Sequence, residues 1–181
     1  MKTKYYYIHG LGSSKNSSKF LELKKQYHEI ECLDWSIDDD MNQKMIEWSK
    51  SLFISSEIYD NICIIASSTG CNFAYQLRLM NHKIFFHLVL INPLFNLNYL
   101  YDESIIPEKL LPYLKSLDKL NNSLIFIGEK DSVINCKKFI ENYEYVKLNN
   151  QIIIDKNSTH KFEKLNEYYS EIDDLINSIY L

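Results

Sequence analysis

Three short motifs hold residue types able to carry nucleophilic acyl chemistry. Ala66-Ser67-Ser68-Thr69-Gly70 offers a hydroxyl, Gly128-Glu129-Lys130-Asp131 a carboxylate, and Thr159-His160 an imidazole. A serine hydroxyl is a weak nucleophile until a base takes its proton, and an imidazole does this best when a carboxylate orients it. Taken singly, each motif has a plainer reading. The S-S-T-G run also suits a serine-rich turn capping a helix; Asp131 suits a turn before the next helix, and His160 a surface loop. The first motif is a variant of G-x-S-x-G with alanine at the first glycine position. A nucleophile on a sharp turn between strand and helix needs small residues two positions to either side. Centred on Ser68 these are Ala66 and Gly70; centred on Ser67 they are the β-branched Ile65 and Thr69. Ser68 is therefore the candidate nucleophile.

A fourth motif, Ile8-His9-Gly10-Leu11-Gly12-Ser13-Ser14, lies near the start. Acyl transfer needs N–H donors aimed at the developing oxyanion. The backbone N–H of Thr69, next to the nucleophile, and that of Leu11 are the expected pair. Gly10 and Gly12 let the backbone approach without a side chain intervening, and His9 is expected to brace the loop. A glycine-rich loop can also cradle phosphate. Here Lys15 stands at the third glycine position of G-x-G-x-x-G, and there is no G-K-[ST], so nucleotide binding is not expected.

Elements of alternating type must position these motifs. Strands are expected at about Tyr5 to Ile8, Glu29 to Leu33, Ile62 to Ala66, Phe85 to Ile91, Leu124 to Ile127 and Ile152 to Ile154. Helices are expected from about Ser18 to Tyr27, Asp40 to Ser56, Gly70 to Met80 and Lys164 to Ile179. Strands alternating with helices imply a parallel sheet covered on both faces. In such sheets ligands sit beyond the carboxyl ends of the strands, and all four motifs follow a strand. The chain order Ser68, Asp131, His160 is that of the α/β-hydrolase fold. Asp34 and Asp155 are rival acids, but neither stands between Ser68 and His160 in as good a position after a strand. The expected fold is α/β: a minimal three-layer α/β-hydrolase with a mostly parallel sheet of about six strands. It is read as a single domain over 1–181, with a short cap-like segment at about 92–122.

Composition narrows the function classes. At 181 residues, 46% hydrophobic and 24% charged, the chain is long enough for one core and too apolar for wholesale disorder. A net charge of −4 gives no electrostatic grip on nucleic acid or anionic lipid, and the one arginine, Arg78, leaves little for bidentate phosphate recognition. Cys32, Cys63, Cys71 and Cys136 show no metal spacing and read as free thiols of a reducing cytoplasm. No signal peptide or membrane span is read, and neither cofactor nor metal is expected. His28 and His82 fit helix ends and His87 the core, while Asp38, Asp39 and Asp40 fit a helix N-terminus.

The blocks YIHGLGSS, IASSTG, LVLINPLF, GEKD and STHKF follow one another across nearly the whole chain. In this the chain resembles the small bacterial α/β-hydrolases of the YqiA/YcfP type. The resemblance implies an esterase or thioesterase acting on short acyl substrates, with Ser68, Asp131 and His160 at the triad positions. Three residues depart from the family's elbow: Ala66 for glycine, Thr69 for leucine and Cys71 for glycine. The expected function is hydrolysis of short-chain esters or thioesters, the partner being that small-molecule substrate. Two other readings stay open: a hydrolase-fold binding protein without activity, and an acyltransferase using the same triad. The apolar residues Leu94, Phe95, Leu97, Tyr99, Tyr101, Ile105 and Ile106 are expected to make the cap an acyl pocket.

Overall fold

A computed structural model describes residues 1–117 and 119–177. Six strands form one sheet: β1 (Thr3–Ile8), β2 (Glu31–Cys32), β3 (Asn61–Ser67), β4 (His87–Ile91), β5 (Ser123–Gly128) and β6 (Gln151–Asp155). Their order is β2-β1-β3-β4-β5-β6, and every pairing is parallel. Ile8 lies opposite Ala66, Ser67 opposite Ile91, and Gly128 opposite Asp155. The carboxyl ends therefore align along one edge of the sheet.

Successive strand residues point to opposite faces, and here both faces are covered. Tyr6, Ile64 and Leu90 pack on one side with Trp35, Trp48, Phe73, Phe95 and Phe139. Tyr7, Ile65 and Ile91 pack on the other with Phe20, Leu23, Phe162 and Ile172. Double burial explains why the central strands read as unbroken apolar runs rather than as alternating ones. The first face is roofed by α2 (Met41–Ser56) and α3 (Thr69–Met80), the second by α1 (Ser18–Gln26) and α6 (Tyr169–Asn177). Asp40 caps α2 by accepting from the N–H of Asn42 at 2.9 Å and that of Gln43 at 3.4 Å.

Several boundaries differ from expectation. β2 shrinks to two residues because it is an edge strand held by β1 alone. β4 begins at His87, since Phe85 projects into solvent at 58% exposure. The last helix starts at Tyr169 after a tight 3-10 turn, Leu165–Tyr168, and the expected end at Ile179 lies outside the described residues. Two helices between β5 and β6, α4 (Cys136–Asn142) and α5 (Glu144–Asn149), are too short for a periodic signal.

The segment 92–122 contains three 3-10 turns: Leu97–Tyr99, Glu103–Ile105 and Glu108–Tyr113. Two buried amides of α3 anchor it. Asn72 donates to the carbonyls of Leu94 (3.2 Å) and Lys115 (2.6 Å) and accepts the N–H of Lys115 (3.0 Å). Gln76 donates to the carbonyl of Tyr113 at 2.7 Å. Burying these amides is tolerable because the segment's loose backbone groups pair with them.

Candidate active site

Ser68 forms the turn between β3 and α3, with φ 53° and ψ −120°. A non-glycine residue there is strained by about 1–3 kcal/mol and persists only if its surroundings hold it. Its N–H donates to the carbonyl of Ile91 at 2.9 Å, and its carbonyl accepts from Cys71 (3.0 Å) and Leu94 (3.2 Å). Gly70 is required by contact with another strand. A Cβ there would lie 2.5 Å from the carbonyl oxygens of both Ile8 and His9. The small residue that the turn needs at position 70 thus answers to the close approach of α3 to the end of β1.

The structure brings Ser68, His160 and Asp131 together from three strand ends. His160 Nε2 lies 3.1 Å from Ser68 Oγ, and His160 Nδ1 lies 2.8 Å from Asp131 Oδ2. A carboxylate only accepts, so Nδ1 carries the hydrogen and Nε2 is left to accept from the serine. The other oxygen of Asp131 accepts from the N–H groups of Val133 (2.7 Å) and Ile134 (2.9 Å), which fixes the buried carboxylate in its turn.

The loop carrying His160 is held by residues that sequence reasoning passed over or ranked as rivals. Asn92, at the end of β4 with φ 43°, donates to the carbonyls of Thr159 (2.9 Å) and His160 (3.0 Å). Its side-chain oxygen accepts the N–H of Gly128 at 2.7 Å. Asp155 accepts from the N–H of Asn157 (2.7 Å) and the hydroxyl of Ser158 (2.8 Å), and so shapes the same loop. The signal for Asn92 was present: an asparagine directly after a strand, where left-handed backbone favours that residue.

Asp34, in the loop after β2, braces the loop after β1. His9, buried at 1% exposure, sets Nδ1 2.9 Å from the carbonyl of Gly10 and Nε2 2.9 Å from Asp34 Oδ1. Its ring stacks on Trp35, whose indole N–H donates to the His9 carbonyl at 2.9 Å. A Cβ on Gly10 would lie 3.0 Å from that of Ser68, so the loop runs directly over the serine. Gly12 takes φ 70° in the turn beyond. Among the described residues no acceptor takes the N–H of Leu11 or of Thr69.

Two cavities meet at Ser68. One, of about 270 Å³, is walled by Leu94, Leu100, Ile105, Ile106, Val133 and Ile134. The other, of about 330 Å³, opens between the first loop and α1 and has Lys19, Lys161 and several serines among its lining residues. Burial pushes up the thiol pKa values of Cys71 and Cys136, so neither is a thiolate competing with the serine. Cys71 donates weakly to the carbonyl of Ile91 at 3.6 Å and packs behind the turn. Among the described residues no group of His, Cys, Asp and Glu is arranged to hold a metal, and no helix is long and apolar enough to cross a membrane.

The model of the uncharacterised protein family UPF0227 matches residues 4–177. The chain belongs to UPF0227. This is the YqiA/YcfP-type kinship anticipated from the sequence blocks. Solved structures place the UPF0227 chain in the α/β-hydrolase fold. It is similar to Est1E from Butyrivibrio proteoclasticus, with TM-score 0.68 and 12% identity, covering 94% of this chain and 85% of that one. It is similar to mouse alpha/beta hydrolase domain-containing protein 10, with TM-score 0.68 and 14% identity over 95% and 88%. It also resembles the metagenome-derived lipolytic enzymes LipS and LipT, with TM-score 0.65 and 14% identity over 95% and 91%. No curated protein matches the UPF0227 chain in sequence.

Proposed function

We propose that this UPF0227 protein is a serine hydrolase of short-chain carboxylic esters or thioesters. One observation carries the reading: an unbroken path from Asp131 through His160 to Ser68, with links of 2.8 and 3.1 Å. Two proteins of the same fold bear the words hydrolase and lipolytic in their names, which supports it.

In this mechanism Ser68 Oγ attacks the carbonyl carbon while His160 Nε2 takes the hydroxyl proton. Asp131 stabilises the imidazolium and keeps its orientation. The N–H groups of Leu11 and Thr69 hold the oxyanion, each being without another acceptor. Collapse releases the alcohol or thiol, protonated by His160, and leaves an acyl-Ser68 ester. Water, deprotonated by His160, then frees the acid. The apolar cavity of about 270 Å³ takes the acyl chain, its wall being the cap-like segment.

A fluorophosphonate probe tests the reading together with p-nitrophenyl butyrate. Labelling and turnover that both vanish in Ser68→Ala are expected. Folded protein that is neither labelled nor active overturns it and favours a binding role.

A further inference from the structure

The cavity of about 330 Å³ beside Ser68 contains a feature that the ester reaction itself does not use. Lys19, on the first turn of α1, sits partly buried among the cavity-lining residues, and Lys161 stands at its rim next to His160. The Lys19 ammonium donates to Ser67 Oγ at 3.4 Å, a long contact with a neutral partner. Among the described residues no carboxylate lies within ion-pair distance of it. The nearby carboxylate of Glu163 is committed to Thr159, at 2.6 Å to the hydroxyl. Ser13, Ser17, Ser18 and Leu11 are among the other lining residues. Burial lowers the Lys19 pKa to about 8, so the group still carries its charge at neutral pH. Glu163, Glu22 and Asp131 act on Lys19 only from beyond ion-pair distance, so part of the cost of withdrawing this cation from water remains for a ligand's negative charge to offset.

An acyl carbonyl on Ser68 projects its two substituents into the two cavities. The hydrocarbon-lined one suits the acyl chain, which leaves the cationic one for the alcohol or thiol. We infer that the enzyme selects esters whose leaving group carries an anion, a carboxylate or a phosphate-type group, held by Lys19 with Lys161 at the rim. This rests on the hydrolase reading above and adds the substrate class to it.

The test compares 4-carboxyphenyl butyrate with 4-carbamoylphenyl butyrate, which share an acyl chain and differ in charge. A 4-(phosphonomethyl)phenyl ester distinguishes the two kinds of anion. The ratio of kcat/KM between charged and neutral esters is the readout, since a general loss of activity leaves it unmoved. A preference of about tenfold or more is expected, as for a charge-assisted hydrogen bond. Most of it should lie in KM, vanish in Lys19→Met and persist in Lys19→Arg. A ratio near one in the wild-type protein overturns the inference. So does a preference that survives Lys19→Met. If Ser68 takes the fluorophosphonate and the neutral ester is cleaved without any charge preference, only the anion assignment fails. If Ser68 takes no label and neither ester is cleaved, the hydrolase reading fails and this inference with it.

Discussion

The amide of Asn92 holds the carbonyl of His160 at 3.0 Å while its oxygen holds the N–H of Gly128 at 2.7 Å. One side chain at the end of β4 therefore ties the histidine's loop to the end of β5, the strand that leads to Asp131. Asn92→Ala removes a buried donor and acceptor at once. It is expected to destabilise the fold by about 2–4 kcal/mol, since each buried group left unsatisfied costs about 1–3 kcal/mol. Activity at temperatures where the variant stays folded should fall in kcat more than in KM. Urea unfolding and steady-state kinetics measure the two effects separately.

Asp131→Asn keeps the shape of the turn but presents an amide where a carboxylate accepts the Nδ1 hydrogen. The imidazole then favours the wrong tautomer, and kcat at neutral pH should fall by about 10⁴-fold. A variant within tenfold of wild type would leave His160 acting without its acid.

The strain at Ser68 predicts a difference between two inactive variants. Glycine accepts φ 53° without the Cβ penalty that alanine retains. Ser68→Gly should therefore be about 1 kcal/mol more stable than Ser68→Ala. Thermal unfolding of the pair checks this, and equal stabilities would mean the turn is unstrained.

Lys19 gives a pH dependence whose sign is fixed. Its pKa falls from 10.5 to about 8 on folding. Below about 8 the fold bears the full cost of a partly buried ammonium; between there and 10.5 the folded state gives up a proton that the unfolded chain keeps, so stability rises with pH. Lys19→Met should accordingly be more stable than wild type at pH 7, by a margin that shrinks towards pH 10. Urea midpoints at the two pH values measure the margin, and one that does not change with pH would contradict the buried charge.

Much of the candidate site was legible because its residues follow strands, and strands of a doubly covered sheet are conspicuous apolar runs. Ser68, Asp131 and the loop with Gly10 and Leu11 stand just beyond such a run, whereas His160 follows the half-exposed edge strand β6 after a polar loop. The reason for Gly70 was not legible, since its neighbours, the carbonyls of Ile8 and His9, lie some sixty residues away in sequence. Asp34 and Asp155 looked like competitors because residue type does not reveal which carboxylate reaches the histidine. Folding assigns them to His9 and to the Ser158 turn. Lys19 reads as an ordinary charged residue on an amphipathic helix until the sheet places it beside Ser67.

The anchoring of the segment after β4 by Asn72 and Gln76 has an evolutionary side. Both ends of that excursion, at Leu94 and at Tyr113–Lys115, are fastened to the same two turns of α3. A loop closed at its neck can lengthen or shorten cheaply, a doubling costing only about 0.6 kcal/mol in closure entropy. Insertions and deletions between the two moorings would remould the wall around Ile105 and Ile106 while the serine turn, the histidine loop and the sheet stayed as they are. If the proposed hydrolase reading holds, diversification of acyl preference among relatives should concentrate in this stretch, which would separate the inheritance of the chemistry from the inheritance of its substrate.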